Sequence, residues 1–280
     1  MNTTLRRYHF LSIAMLSVAA LLGACAGTGG SGADKPAAQD AGAANVDIQN
    51  RPSAETEQRK RANIRMQLAI NYYQDGKFNV ALDELKQALT MDPNYADAHG
   101  VLALVYMELR EPALAEQSFQ RALQLEPSNS DLNNNYGWYL CQNGRERESL
   151  AYFETALKNP LYRQPAKPLQ NAGVCAQKKG DAVAAENYFL RSFELDPTGT
   201  VAALNLAEIY YGRKDLTRSR FYVGQINASP AATAASLWLG IRIERQLGNR
   251  ANQSGLEIQL ARLFPESREA QLEKRGAYGD

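Results

Sequence analysis

The stretch ADAHGVLALVYMELREPALAEQSFQRALQLEPSN, from Ala96 to Asn129, decides the fold. Leu102 and Ala103 set a large and a small residue side by side, and Tyr106 follows one turn later. That spacing predicts a first helix with a single buried face. Ala115, Phe119 and Ala122 then recur at i, i+4 and i+7, the buried stripe of a second helix. Pro127 stops that second helix, because proline lacks an amide hydrogen and clashes with the preceding turn. The small Ala103 lets the two helices approach closely. The stretch reads as one helical hairpin.

Moving outward, the same skeleton returns on both sides. Upstream it is Leu68-Ala69, Tyr72, Gly76, Ala81, Leu85, Ala88 and Pro93. Downstream it is Tyr136-Gly137, Gly144, Ser149, Phe153, Ala156 and Pro160. After an extended joint bearing Pro160 and Pro165 it returns as Ala172-Gly173, Gly180, Ala185, Phe189, Ser192 and Pro197. A fifth unit keeps Leu206-Ala207 and Tyr210 but carries Ser219 and Ile226 where alanine is usual. A sixth, degenerate unit has Leu239-Gly240 and Phe264-Pro265, one residue longer than the standard interval. A period of roughly 34 residues, with its small residues and terminal prolines, is the tetratricopeptide pattern. The units fall near 62–95, 96–129, 130–163, 166–199, 200–233 and 234–266. The expectation is an all-α tetratricopeptide-repeat superhelical solenoid of five to six helical hairpins over residues 58–280, with a concave inner face. Tyr72, Tyr106, Phe119, Phe153 and Phe189 are read as core residues.

The N-terminal segment has a different composition. Arg6 and Arg7 precede an apolar run from Phe10 to Leu22, too short to span a bilayer but of the length of a signal-peptide core. Leu22-Gly23-Ala24-Cys25 resembles the bacterial lipobox. The resemblance implies cleavage after residue 24 and lipidation of Cys25, which would then head the mature chain. Two or three acyl chains anchor a protein stably where one does not. Ala26 stands where inner-membrane lipoproteins commonly carry Asp, so the outer membrane is the expected destination. The alternative is an ordinary secretory signal cut after Ala24. Residues 25–57 are expected to form a lipidated tether. From Ala26 to about Arg51 they are rich in Gly, Ala, Ser and Asp and hold no aromatic residue, too little apolar surface to offset ordering entropy.

Composition excludes several function classes. The 280 residues carry 31 Lys and Arg against 30 Asp and Glu. Loss of a leader with Arg6 and Arg7 turns the formal charge from +1 to −1. A chain this neutral lacks the basic field that nucleic acid binding requires. Of its two histidines only His99 lies outside the leader, and its expected state is solvated or capping. One histidine and two unlipidated cysteines are poor equipment for zinc, which takes three or four such ligands. No Walker loop, HExxH, GxSxG or CxxC occurs. No metal, cofactor or small-molecule substrate is expected, and an enzyme is disfavoured.

A binding role remains. On the first helices, positions spaced 3, 4 and 3 share one face. They are Asn63, Met66, Ile70 and Tyr73, then Asp97, Gly100, Leu104 and Met107, then Asp131, Asn134 and Trp138. Ile70, Tyr73, Leu104, Met107 and Trp138 would form an apolar strip along the groove, and such patches mark partner surfaces. The alternative is that the segment before Ala62, or packing at the solenoid end, covers part of it. Cys141 and Cys175 lie on neighbouring first helices. In an oxidising periplasm a disulfide is favoured, and two small buried hydrophobes are the other reading.

The third and fourth units hold more than the skeleton. Asn134-Asn135-Tyr136-Gly137-Trp138-Tyr139-Leu140-Cys141 is followed by Gly144, Pro160-Leu161-Tyr162, Pro165 and Asn171-Ala172-Gly173-Val174-Cys175. This run resembles the type IV pilus biogenesis and stability lipoproteins, the tetratricopeptide pilotins of the pilus secretin. The resemblance covers nearly the whole chain. It implies a non-enzymatic outer-membrane lipoprotein that binds secretin subunits and promotes their localisation and multimerisation. A rival expectation is a general periplasmic scaffold for cell-envelope assembly that shares only the repeats.

Overall fold

Six residues with left-handed backbone mark the hairpin turns: Gly76 (φ 73°), Arg110 (60°), Gly144 (76°), Gly180 (85°), Lys214 (61°) and Gly248 (71°). Each reverses the chain between the two helices of a unit. Four are glycine, the residue that adopts this conformation without steric cost. They recur at one constant interval except between Gly144 and Gly180, where the joint lengthens it by two.

The structure is a computed structural model that describes residues 57–278. The expected leader, Cys25 and the tether up to residue 56 lie outside the described residues, and Glu57 already belongs to the first helix. The hairpins are α1 (Glu57–Gln74) with α2 (Phe78–Met91), α3 (Ala96–Glu108) with α4 (Pro112–Leu125), and α5 (Ser130–Gln142) with α6 (Glu146–Leu157). They continue as α7 (Ala166–Lys178) with α8 (Ala182–Leu195), α9 (Thr200–Gly212) with α10 (Leu216–Asn227), and α11 (Ala234–Gln246) with α12 (Arg250–Leu263). A short α13 (Arg268–Lys274) packs on α11 and α12 and closes the end of the stack. Among the described residues there are no strands, and no helix is long and apolar enough to cross a membrane. The chain is an all-helical tetratricopeptide solenoid.

Odd-numbered helices touch the next odd-numbered helix, whereas even-numbered α2 to α12 do not touch each other. The first helices therefore form the tighter, inner layer and the second helices the outer one. Packing follows the small–large pattern. Ala69, Ala81, Phe119, Phe153 and Phe189 are fully buried, while Tyr72 and Tyr106 are half-buried against the core. A Cβ added to Gly173 would stand 2.6 Å from the ring of Phe189, so only glycine admits that ring.

The sixth unit is one residue out of the expected register. α11 starts at Ala234, one standard repeat after the start of α9 at Thr200, which puts Gly240 at the place of Leu206 and Ile241 at that of Ala207. The ion pair of Arg220 with Glu244 agrees with this register. Its two residues stand one repeat beyond Glu186 and Tyr210, which are hydrogen-bonded to each other.

Candidate functional site

The five strip residues all lie on the inner-layer helices and all are half-buried. Ile70 and Tyr73 on α1 pack against the core of the first unit. Leu104 and Met107 on α3 pack against the next, around Phe119, Tyr136 and Tyr139. Trp138 on α5 packs against Cys141, Phe153, Ala172 and Cys175. Each side chain packs one flank on the core and keeps part of its surface exposed. Contact of α1 with α3 and of α3 with α5 sets the three groups in succession.

Tyr73 is the most constrained of the five. Its ring meets Phe78 edge-on at 5.6 Å, and its hydroxyl donates to Glu108 Oε1 at 3.2 Å. Burial, then the Glu108 charge, pushes its pKa up to about 12. Three other positions expected on this face are buried between neighbouring first helices instead. Met66 is one, and Gly100 lies against the Leu132 side chain, where an added Cβ would come within 2.3 Å. Asn134 is the third; it accepts from Asn171 Nδ2 at 2.9 Å and donates to Asn135 Oδ1 at 3.0 Å. The spacing identifies the face of each helix but not how closely the next first helix approaches at mid-helix.

Beside Trp138, Cys141 and Cys175 form a disulfide that joins α5 to α7, with Cα atoms 5.8 Å apart and both residues fully buried. Lys178 Nζ donates to the Cys141 carbonyl at 3.1 Å, fastening the same two helices. Further clasps join units by a tyrosine hydroxyl donating to a carboxylate. Tyr136 reaches Glu116 at 3.0 Å, Tyr188 reaches Glu154 at 2.8 Å and Tyr210 reaches Glu186 at 2.7 Å. Together with Tyr73 they cross each of the first four unit boundaries. The sequence held these tyrosines and acids in view, but pairs 20 to 35 residues apart are invisible until the helices are stacked.

An acidic rim lies where the second and third units begin. Asp97 accepts from Asn129 Nδ2 at 3.4 Å, and Asp131 accepts from Tyr162 at 2.8 Å. Burial, then the neighbouring Glu126 charge, raises the pKa of Asp97. His99 places Nε2 3.0 Å from the Pro93 carbonyl, a local tie at the start of α3. The inner-layer helices α1, α3 and α5 thus carry a half-buried apolar row, with the Tyr73–Glu108 bond at its first boundary and Asp97 and Asp131 at the starts of α3 and α5.

Comparison with known proteins agrees with this architecture. A tetratricopeptide repeat family model matches residues 66–130 and 101–168. The type IV pilus assembly protein PilF of Pseudomonas aeruginosa is 31% identical over 206 residues, which cover 74% of this chain and 82% of that protein. The crystal structure of PilW, described as a widely conserved type IV pilus biogenesis factor, shares 34% identity with a TM-score of 0.67. That match covers 76% of this chain and 97% of PilW. The Pseudomonas aeruginosa PilF structure has a TM-score of 0.71 at 29% identity and covers 79% of this chain and 100% of that one. Identity at this level over most of each partner's length, on a fold with the same stacked hairpins, places the chain in the PilF and PilW family of tetratricopeptide type IV pilus biogenesis proteins.

Proposed function

We propose that this protein is an outer-membrane lipoprotein that binds subunits of the type IV pilus secretin and promotes their localisation and multimerisation. The observation that carries the reading is the apolar row Ile70, Tyr73, Leu104, Met107 and Trp138, half-buried on the inner layer. A half-buried apolar row keeps its shape without a partner and still gains from covering its remaining surface. Methionine and tryptophan fit such a role, the first by adapting its shape and the second as a dominant contact. Membership of a pilus biogenesis family supplies the process in which the partner is sought. In this mechanism the lipid on Cys25 sets the destination and the inner face holds an apolar segment of the subunit. The tether lets the pair reach the bilayer.

Heat-resistant secretin multimers in outer-membrane fractions test the whole reading. A deletion strain should lose them, wild-type rescue should restore them, and a Cys25→Ala rescue should not. Normal multimers in the deletion strain would return the protein to a general scaffold role. Binding is tested separately: Leu104→Glu and Trp138→Ala should each weaken affinity for the secretin subunit about tenfold or more, the size of a hot-spot loss. Unchanged affinity in both variants would move the site off the inner face.

A further inference from the structure

One joint between units is unlike its neighbours. Those after α2, α4 and α8 read Asp92-Pro93-Asn94-Tyr95, Glu126-Pro127-Ser128-Asn129 and Asp196-Pro197-Thr198-Gly199. The joint after α6 is twice as long and reads Lys158-Asn159-Pro160-Leu161-Tyr162-Arg163-Gln164-Pro165. Leu161 is 85% exposed, the most exposed large apolar side chain among the described residues. The backbone that carries it is held. Asn159 Oδ1 accepts from the Leu161 amide at 3.0 Å, and the Asn159 carbonyl accepts from the Tyr162 amide at 3.1 Å. The Tyr162 hydroxyl donates to Asp131 at the start of α5 at 2.8 Å, while Pro160 and Pro165 fix their own φ. Clefts of about 730 and 700 Å³ open on the α5 and α8 sides, so the joint projects between them. A turn needs no leucine, and one held out in water gains nothing from burial.

Lys158, Arg163 and Lys167 flank Leu161 in sequence, and all three are exposed. Among the described residues none of them is in an ion pair. The carboxylates lining the two clefts, Glu126, Asp131 and Asp196, are held instead by Asn129, Tyr162 and Thr198. Lys158 suits the C-terminus of α6, but Lys167 in the first turn of α7 opposes the helix dipole. The equivalent positions of α3 and α5 are Asp97 and Asp131.

The joint also lies on the edge where the fold begins. Arg59, in the first turn of α1, donates to Asp92 and to the Asn94 carbonyl of the first joint. Asn129 of the second joint donates to Asp97 at the start of α3, and Tyr162 reaches the start of α5. The starts of the first helices and the joints thus share one edge, and the hairpin turns lie at the other ends of the helices. The residues from Cys25 to Thr56 join that edge at Glu57.

We infer that this edge faces the bilayer and that the Leu161 joint docks on an anionic lipid surface. Leu161 enters the boundary between headgroups and acyl chains, and Lys158, Arg163 and Lys167 meet lipid phosphates. The inference rests on the lipid-anchor reading above. The anchor supplies the surface at high local concentration, and the joint fixes which edge turns toward it.

The lipidated mature chain is reconstituted on vesicles of phosphatidylethanolamine and phosphatidylglycerol with brominated acyl chains, which quench tryptophan on contact. Two variants each add one tryptophan at a highly exposed apolar site. Leu161→Trp lies on this edge, and Val183→Trp lies beside the Gly180 turn at the opposite one. After subtraction of the wild-type signal, emission from position 161 should shift to the blue and be quenched several-fold more than emission from position 183. Arg163→Glu with Lys167→Glu should leave Tm unchanged, since both residues are exposed, and bring the signal at 161 down to that at 183. Raised salt should act in the same direction. Chain that fails to sediment with the vesicles overturns the lipid anchor and this inference with it. Sedimenting chain quenched no more at 161 than at 183 overturns this inference alone and leaves the joint to a protein partner. Undiminished quenching after the charge reversals does the same for the role of the cations.

Discussion

Gly173 shows at the scale of one residue how little room the solenoid leaves. Three carbons of the Phe189 ring lie 2.6, 2.7 and 2.9 Å from where its Cβ would be, and Phe189 is itself fully buried with no space to retreat. Gly173→Ala should therefore destabilise by about 1–3 kcal/mol, the ordinary cost of overpacking, although alanine is the better helix former. Urea denaturation checks it, and a neutral or stabilising result would mean that the helices separate more easily than the packing implies. Gly137 is similar, with the Phe153 ring at 2.9 Å and the Ser149 carbonyl at 3.1 Å. Gly137 was legible in the sequence as the small member of the Tyr136-Gly137 pair, and Gly173 as the same position one unit on, where its neighbour Ala172 is small too. Asn134 was legible only as part of a motif, because its role depends on Asn171, 37 residues away.

Between elements, the tyrosine clasps make stability depend on pH at the alkaline end. Burial first, and a carboxylate partner next, push Tyr73, Tyr188 and Tyr210 up to about 12. Tyr136 reaches about 12 mainly through burial. A tyrosine pKa raised by folding gives stability that is fully present below its unfolded value near 10 and is lost as pH climbs toward 12. Stability should thus hold to about pH 10 and then fall, together with rising tyrosinate absorbance, and Tyr210→Phe should soften that fall. Simultaneous ionisation of these tyrosines near pH 10 without unfolding would refute the clasps. At the acid end, a hydrogen bond from Arg59 holds Asp92 low, and one from Arg145 does the same for Glu116. For Glu186 burial opposes the shift, but Tyr210 and Arg213 prevail and hold it low. Depressed carboxylates give stability present above about pH 4 and lost below it, so a second fall should appear there, smaller in Glu116→Gln. Hairpins and their order were readable from the period, and three of the six turns from Gly76, Gly144 and Gly180. Arg110 and Lys214 hide two more, and the sixth turn lies at Gly248, which sets the register of α11 where the sequence reading took the Leu239-Gly240 pair. The clasps were not readable, since helical periodicity marks a buried face but not which residue across the boundary meets it.

As a whole molecule, a solenoid holds together only through neighbours, and its units should loosen from the ends inward. The disulfide between α5 and α7 interrupts that rule at the centre. Closing a loop over a separation of 34 residues should stabilise by about 4 kcal/mol in the chain-entropy model. Cys141→Ser with Cys175→Ser, or reduction, should lower Tm and broaden the transition into separate N-terminal and C-terminal steps, measurable by calorimetry. A single unchanged transition would show that the third and fourth units need no staple. The same bond has a mechanical consequence. A chain drawn out from its two ends carries tension through every residue except those bypassed by a covalent shortcut, so the segment between Cys141 and Cys175 is shielded from load while the sulfurs stay joined. In a single-molecule pulling trace, reduction should lengthen the fully extended chain by about 115 Å, the reach of the 34 residues the bond conceals.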